Sequence, residues 1–107
     1  MSLEDIEKSI EREDGVLLYF SGENCNVCHA LRPKIEELFE REFPRVKRIF
    51  LDAHENPAVS AHYRVFSVPT MIVFLGGREF AREGRAVSLH ALAQKLARPY
   101  DMLFGEE

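Results

Sequence analysis

The feature that most constrains this sequence is an unbroken apolar run, Val16–Phe20, which follows an Asp14-Gly15 turn signal. A strand with one face in water alternates apolar and polar residues, whereas a strand buried on both faces is apolar throughout. A sheet that contains such a strand needs helices packed on both of its sides. With 107 residues the chain can form one core of this kind but not two. We therefore expect a single domain over residues 1–107.

Helical and strand patterns alternate along the rest of the chain. Apolar residues at helical spacing predict helices over 3–13 and 26–42 and a last helix capped by Ser88. Asn56-Pro57 predicts the start of a short helix that runs to about residue 63. Further strands are predicted over 46–51 and 70–75, and over 78–82 after the Gly76-Gly77 turn. Residues 99–107 are expected to form a polar tail that carries an apolar Met102-Leu103-Phe104 patch.

The order of these elements predicts the fold class. Helices separate the first three strands, which implies crossover connections and parallel pairing. Gly76-Gly77 predicts a tight turn, and therefore an antiparallel hairpin, between the last two strands. We expect an α/β fold with a small mixed sheet of about four strands and helices on both faces.

Composition argues against several classes of function. The chain has 14 basic and 18 acidic residues, and this net charge of −4 disfavours nucleic acid as a partner. Residues 1–14 are charged where a secretory signal would be apolar, and no apolar run approaches the roughly 20 residues of a membrane span. We expect a cytoplasmic protein that binds neither nucleic acid nor a membrane.

The two cysteines, Cys25 and Cys28, lie where the buried strand gives way to a helix. The free N–H groups and positive dipole end of a helix N-terminus stabilise a thiolate, which is the nucleophilic form of cysteine. A spacing of three residues places both side chains on one side of the first turn. These residues predict redox chemistry, with Cys25 as the exposed nucleophile and Cys28 as the more buried resolving thiol.

Other interpretations of the same residues stay open. Cys25-Asn26-Val27-Cys28-His29 matches the attachment pattern of c-type haem, in which His29 would be the axial ligand. A structural zinc site needs four ligands, but His54, His62 and His90 lack the paired spacing of such a site. Two cysteines can also lie three residues apart by chance.

From about residue 3 to residue 97 the chain resembles the thioredoxins. The resemblance is carried by Phe20–Cys28, by Pro33 five residues after Cys28, by Leu51-Asp52 followed by Asn56-Pro57, by Val68-Pro69-Thr70, and by Phe74–Gly77. A CxxC alone is a weak signal, but its combination with the helix proline and a later Val-Pro-Thr is a strong one.

The resemblance implies a thioredoxin-like fold and a thiol–disulfide oxidoreductase that reduces protein disulfides through Cys25 and Cys28. It implies no metal or organic cofactor, and an electron donor of the thioredoxin-reductase type. It also implies that Pro69 is cis and that Val68, Pro69 and Thr70 bind substrate. The backbone of Val68 would pair with an extended substrate segment, a mode that tolerates many sequences.

Several positions depart from the family pattern. The usual Trp before the first cysteine is Asn24, and the usual Gly-Pro between the cysteines is Asn26-Val27. The buried Asp of the family falls at Tyr19 and its nearby Lys at Arg48. His29 and Glu23 are then candidates for proton handling. These departures support an alternative function, a thioredoxin-like binding, chaperone-type or redox-sensing module without efficient turnover.

The architecture also departs from the family, whose members normally begin with a strand. Here the first predicted element is a helix, so the first family strand is missing and the strand over 46–51 lies at a sheet edge. Lys47 and Arg48 could protect that edge by charge, or two copies could pair there. We therefore expect a monomer or a weak homodimer.

Overall fold

The computed structural model describes residues 1–105, in which helices and strands alternate. In chain order the elements are α1 (Leu3–Arg12), β1 (Gly15–Ser21), α2 (Asn26–Glu42), β2 (Lys47–Asp52), α3 (Pro57–His62), β3 (Thr70–Leu75), β4 (Arg78–Glu83) and α4 (Leu89–Phe104). Among the described residues, none of the helices combines the length and apolar character that a membrane span requires.

The strands form one mixed sheet in the order β2-β1-β3-β4. β1 lies inside it, parallel to β2 with Val16 beside Lys47, and antiparallel to β3 with Val16 beside Phe74. The expected α/β class, mixed sheet and closing hairpin are confirmed. Gly76 and Gly77 form the hairpin turn with φ of 61° and 81°, in the left-handed region that glycine adopts readily.

The predicted parallel direction of the third strand is wrong, because β3 runs antiparallel to β1. The connection from β2 contains only the six-residue helix α3. The chain enters β3 at the sheet end where β2 finished, with Thr70 beside Phe20, and β3 then runs back along β1.

Each face of the sheet carries its own apolar core. One core joins α2 and α4 to the sheet, through Leu17, Tyr19, Ile35, Leu38, Phe39, Met71, Val73, Leu92 and Leu96. The other joins α1 and α3 to it, through Ile6, Ile10, Val16, Leu18, Phe20, Ile49, Leu51, Val59 and Ile72. Since successive strand residues point to opposite faces, the apolar run of β1 contributes to both cores. This explains why no polar residue interrupts it.

The expected polar tail is wrong over the part of the chain that the structure describes. α4 begins at the Ser88 cap and continues through Pro99 to Phe104. Tyr100 packs against Phe43 and Phe104, with ring centroids 5.1 Å and 4.8 Å apart. Proline lacks an N–H and so normally ends a helix, but here the aromatic contacts of the following turn hold that turn against the core. Residues 106–107 lie outside the described residues.

The Met102-Leu103-Phe104 patch is divided between core and surface. Phe104 is buried, whereas Met102 is 79% exposed and Leu103 is 40% exposed. Arg45 donates from Nη1 to the Phe104 carbonyl oxygen at 3.0 Å, so the helix end is also held by a polar contact. Only Phe104 of the patch therefore belongs to the core.

β2 forms one edge of the sheet, as expected for the strand over 46–51. Lys47 donates from Nζ to the Ser9 hydroxyl at 3.0 Å, which holds its charge over the edge on the α1 side. On the other side, the Arg32 guanidinium lies 4.0 Å from the centre of the Phe50 ring. Charged side chains thus cover the outer strand on both faces.

Candidate active site at the Cys25–Cys28 disulfide

The two cysteines follow β1, where the chain turns into α2. In the connecting turn the Cys25 N–H donates to the Gly22 carbonyl oxygen at 3.3 Å. Cys25 is the N-cap residue of α2 and is joined to Cys28 by a disulfide, with the two Cα atoms 5.2 Å apart. The motif therefore lies at a helix N-terminus, where the sequence pattern places it.

The surroundings of the two sulfurs differ. Cys28 is 1% exposed, whereas Cys25 is only partly buried. The Cys25 sulfur accepts a hydrogen bond from the Cys28 N–H at 3.1 Å, and no carboxylate occurs in the first turn, residues 26–29. When the disulfide is reduced, an anion on Cys25 faces free N–H groups and the positive end of the α2 dipole. This arrangement favours a thiolate at Cys25 rather than at Cys28.

The Val68–Pro69 peptide bond is cis, and the loop that contains it adjoins the cysteines. Gly22 is where the two segments meet. A methyl group at Gly22 would lie 3.4 Å from Val68 Cγ2, 3.8 Å from Cys25 Cβ and 3.9 Å from His54 Cδ2. These are ordinary van der Waals distances, so they show that Val68, Cys25 and His54 converge on Gly22 rather than that glycine is required there. Pro69 itself is buried, and Val68 is partly exposed beside Cys25.

Thr70 contributes to this site from inside the protein. It is 8% exposed, and its hydroxyl donates to the Ser67 carbonyl oxygen at 2.7 Å. The hydroxyl thereby spans the cis-proline and fixes the loop from within. The geometry favours a supporting role for Thr70 over the direct substrate contact that the resemblance implies.

Tyr19 provides a contact to the cysteine motif that the sequence does not reveal. Its side chain is fully buried beneath the motif, and its hydroxyl donates to the Cys28 carbonyl oxygen at 2.7 Å. Burial raises the pKa of Tyr19, and the positive charge of Arg32 opposes this only in part. The hydroxyl therefore stays protonated and acts as a donor. Sequence reasoning expected a core tyrosine with some partner, but not which atom it would meet.

The two candidate proton-handling residues lie at the surface. His29 and Glu23 are both exposed, and His29 Nε2 lies 3.0 Å from the Glu23 carbonyl oxygen. Since a carbonyl only accepts, this contact requires the proton of His29 to be on Nε2. The structure brings the two residues together through the Glu23 backbone, on the water-facing side of the motif.

One concave region of the molecule lies far from the cysteines. A cavity of about 680 Å³ lies between α1 and the β3–β4 turn, at the opposite end of β1. Within residues 1–105, no group of three or more His, Cys, Asp and Glu side chains is placed to hold a metal ion.

The sequence model of the thioredoxin family matches residues 2–98, which include the disulfide, the cis-proline loop and the whole sheet. The chain belongs to the thioredoxin family. Together with the Cys25–Cys28 disulfide, this membership makes it a thiol–disulfide oxidoreductase of thioredoxin fold. The redox interpretation of the motif is thus confirmed.

Individual relatives agree with this assignment. The chain is 36% identical over 105 residues to the thioredoxin-like protein YdfQ of Bacillus subtilis. The match covers 98% of this chain and 93% of that protein. It is 39% identical over 67 residues to a thioredoxin of Staphylococcus aureus, covering 62% and 64% of the two chains. A solved Plasmodium falciparum thioredoxin superposes with a TM-score of 0.80 at 24% identity, over 90% and 95% of the chains. A solved structure of a mutant thioredoxin from Halobacterium salinarum superposes with a TM-score of 0.77 at 27% identity. This match covers 91% of this chain and 83% of that chain.

Proposed function

We propose that this thioredoxin-family protein reduces protein disulfides, with Cys25 as the nucleophile and Cys28 as the resolving thiol. The observation that carries the proposal is the unequal burial of the two sulfurs at the N-terminus of α2. Cys25 is partly exposed and can meet a substrate, whereas Cys28 is buried and is bonded to Cys25.

The reaction proceeds by two exchanges. The Cys25 thiolate attacks one sulfur of a substrate disulfide, forms a mixed disulfide with it and expels the other sulfur as a thiolate. Cys28 gives up its proton and attacks the Cys25 sulfur, which closes the Cys25–Cys28 disulfide and releases the second substrate thiolate. The substrate gains two electrons and, from solvent, two protons. A donor of the thioredoxin-reductase type returns two electrons to the pair, so no metal or organic cofactor takes part.

Substrate recognition is proposed to use the cis-proline loop. Val68 is partly exposed next to Cys25, directly before Pro69. Its N–H and C=O would pair with an extended segment of the substrate, which brings the target disulfide over the Cys25 sulfur. Backbone pairing accepts many sequences, so proteins rather than one small molecule are the proposed substrates. The proposed location is the cytoplasm, where a reductase can supply electrons.

Proton handling at the surface is proposed to involve His29, with its Nε2 on the Glu23 carbonyl oxygen. In this role His29 would exchange protons with solvent for the departing substrate thiolate. The site lacks the buried carboxylate of the family, since Tyr19 occupies that position and its hydroxyl donates to the Cys28 carbonyl oxygen. The proton of Cys28 is therefore proposed to leave through solvent or substrate groups at the open side of the site.

Trapping of the mixed disulfide tests the assigned roles. Cys28→Ser should retain attack by Cys25 but should not release the product, so substrate proteins should stay covalently bound to Cys25. Cys25→Ser should lose reduction of insulin almost completely, because the remaining thiol is buried. The measurement is mass spectrometry of the trapped species, together with insulin turbidity in dithiothreitol.

Two outcomes would contradict the proposal. Capture by Cys25→Ser but not by Cys28→Ser would reverse the roles of the two cysteines. Equal insulin reduction by the native protein and Cys25→Ser would favour the binding, chaperone-type or redox-sensing module over a reductase.

His29→Gln tests the proposed proton handling. If the pH profile of insulin reduction is the same in this variant as in the native protein, His29 has no part in the mechanism.

A further inference from the structure

The Tyr19 hydroxyl meets the cysteine motif at one particular peptide group. It donates to the Cys28 carbonyl oxygen at 2.7 Å, and the N–H of the same peptide group, that of His29, donates to the Cys25 carbonyl oxygen at 3.1 Å. The hydroxyl, this peptide group and the Cys25 backbone therefore form one chain of hydrogen bonds. In such a chain each bond polarises the next and strengthens it. The chain connects β1 to the residue that carries the partly exposed sulfur.

Cys28 also contacts the Cys25 sulfur directly. Its N–H, on the other side of its own Cα atom from the carbonyl, donates to that sulfur at 3.1 Å. Only two soft dihedral angles separate the peptide groups on the two sides of a residue. Because Tyr19 holds the carbonyl on one side, it also restricts the direction of the N–H on the other. The sulfur thus receives its hydrogen bond from a donor that is anchored to the sheet.

Pro33 makes this anchor important for the first turn of α2. In a helix each carbonyl accepts from the N–H four residues later. Pro33 lies inside α2 and has no N–H, so the His29 carbonyl oxygen lacks this helical partner and is crowded by the proline ring. The turn that carries the cysteines is therefore attached to the rest of the helix by fewer bonds than in an uninterrupted helix. The bond from Tyr19 attaches it to β1 instead.

The packing around Tyr19 fixes the position of its hydroxyl. Tyr19 is fully buried and lies between Phe50 of β2 and Met71 of β3 in the sheet. Its ring packs edge-on against Phe50 with the centroids 5.8 Å apart, and the Arg32 guanidinium lies 4.0 Å from the centre of the Phe50 ring. A donor that is held in place before charge develops does not have to reorganise when it does.

Reduction of the disulfide changes what the Cys25 sulfur gains from this arrangement. In the disulfide the sulfur is neutral, whereas in the thiolate it carries a full negative charge. Hydrogen bonds to ionised acceptors are roughly twice as strong as bonds to neutral ones. A fixed Cys28 N–H therefore stabilises the reduced protein more than the oxidised protein, and it shifts the redox equilibrium toward the dithiol.

We propose that Tyr19 is a positioning residue of the redox reaction, which holds the Cys28 N–H on the Cys25 sulfur and so stabilises the thiolate that attacks the substrate. The inference rests on the proposed reduction of protein disulfides by Cys25. Tyr19 acts through the backbone of Cys28 and exchanges no proton with either sulfur. Without its hydroxyl, the protein should form the Cys25 thiolate less readily and should hold its own disulfide more tightly.

The redox equilibrium of Tyr19→Phe tests this role. The protein is equilibrated with defined mixtures of reduced and oxidised dithiothreitol, and the fraction in the disulfide form is measured after acid quenching and alkylation. We expect the equilibrium to shift about fivefold toward the disulfide, which corresponds to about 20 mV for a two-electron couple. A hydroxyl that only supported the fold would destabilise the oxidised and reduced proteins equally, and this equilibrium would then stay unchanged.

Thiolate formation at Cys25 provides a second measurement. In Cys28→Ser protein Cys25 is the single thiol and the backbone N–H at position 28 is kept, so the absorbance at 240 nm against pH reports on Cys25 alone. Addition of Tyr19→Phe should move the midpoint of this titration to higher pH, with the acid dissociation constant lowered by about fivefold. The other titratable neighbours of Cys25 are the same in both proteins, so the difference belongs to Tyr19.

Tyr63→Phe is the control, because it removes a tyrosine hydroxyl on the opposite face of the sheet, and it should give native values in both measurements. Native values in Tyr19→Phe, or a shift toward the dithiol, would overturn the positioning role. Neither measurement uses a protein substrate, so failure of the native protein to reduce insulin is a separate result. That failure would overturn the proposed function, and the role of Tyr19 in it.

Discussion

At the scale of single residues, the site differs most from its family at Tyr19. The family pattern has a buried carboxylate at this position, and a carboxylate can exchange a proton with the second cysteine. A tyrosine whose pKa is raised by burial does not exchange protons near neutral pH. Instead it donates to the Cys28 carbonyl oxygen. The substitution therefore replaces a titrating group with a fixed hydrogen bond between β1 and the first turn of α2.

Removal of this hydroxyl should destabilise the fold with little change in shape. Tyr19→Phe loses one buried hydrogen bond, and we expect the free energy of unfolding to fall by about 1 kcal/mol. Tyr63→Phe is the matched control, because no hydrogen bond to the Tyr63 hydroxyl occurs among the described residues, and it should change the free energy by less than about 0.5 kcal/mol. Urea unfolding of the oxidised proteins measures both. Equal losses in the two variants would show that the Cys28 contact contributes nothing specific.

At the scale of elements, β4 braces the loop that leads to the cis-proline. Arg82 donates from Nη2 to the Tyr63 carbonyl oxygen at 2.8 Å and from Nη1 to the Arg64 carbonyl oxygen at 3.3 Å. Arg64 has a φ of 57°, a conformation uncommon for residues other than glycine. Glu79 accepts from Arg82 at 2.9 Å and 3.0 Å, which orients the guanidinium toward the loop. One ion pair on the hairpin thus holds the chain between α3 and Phe66.

This brace should make a small part of the stability depend on pH. The hydrogen bond from Arg82 holds the pKa of Glu79 below its ordinary value. The contribution is therefore fully present above the ordinary pKa of a glutamate and is lost as the pH falls through the lowered pKa of Glu79. Glu79→Gln should cost about 0.5 kcal/mol at pH 7, since both partners remain well exposed to water.

Thermal unfolding across the acidic range measures this dependence. The difference between the native protein and Glu79→Gln should shrink as the pH falls below the range in which Glu79 titrates. Glu83→Gln, on the same strand but outside the ion pair, is the control and should follow the native curve. A Glu79→Gln deficit that persists unchanged in acid would show that packing, not charge, is responsible.

At the scale of the whole molecule, local patterns predicted most of the structure. The apolar run of β1, the Gly76-Gly77 turn and the Ser88 cap are set by neighbours in sequence, and their elements form where expected. The Cys25–Cys28 motif at a helix N-terminus is local for the same reason. Three features depend on contacts between distant segments and were missed: the direction of β3, the helix beyond Pro99, and the partner of Tyr19. In each case a contact between distant segments, not a local preference, decides the conformation.

The open edge of the sheet decides whether two molecules can associate. Within residues 1–105 no strand lies outside β2, and an unpaired strand edge can pair with a second copy. Lys47 is held across this edge by Ser9, and Arg48 lies one residue further along the strand. Antiparallel pairing of two such strands would bring these positive charges close to the partner strand and desolvate them. We therefore expect the native protein to stay monomeric across the micromolar range.

Removal of the two charges should expose the edge. Lys47→Thr combined with Arg48→Thr keeps side chains suited to a strand but removes the protection, so association should rise with protein concentration. Sedimentation velocity measures this directly. Lys8→Thr with Arg12→Thr changes the net charge equally on the outer side of α1 and should remain monomeric. If both double variants associate, net charge rather than the edge itself is the cause. If neither associates, the shape of the edge, rather than its charge, keeps the molecules apart.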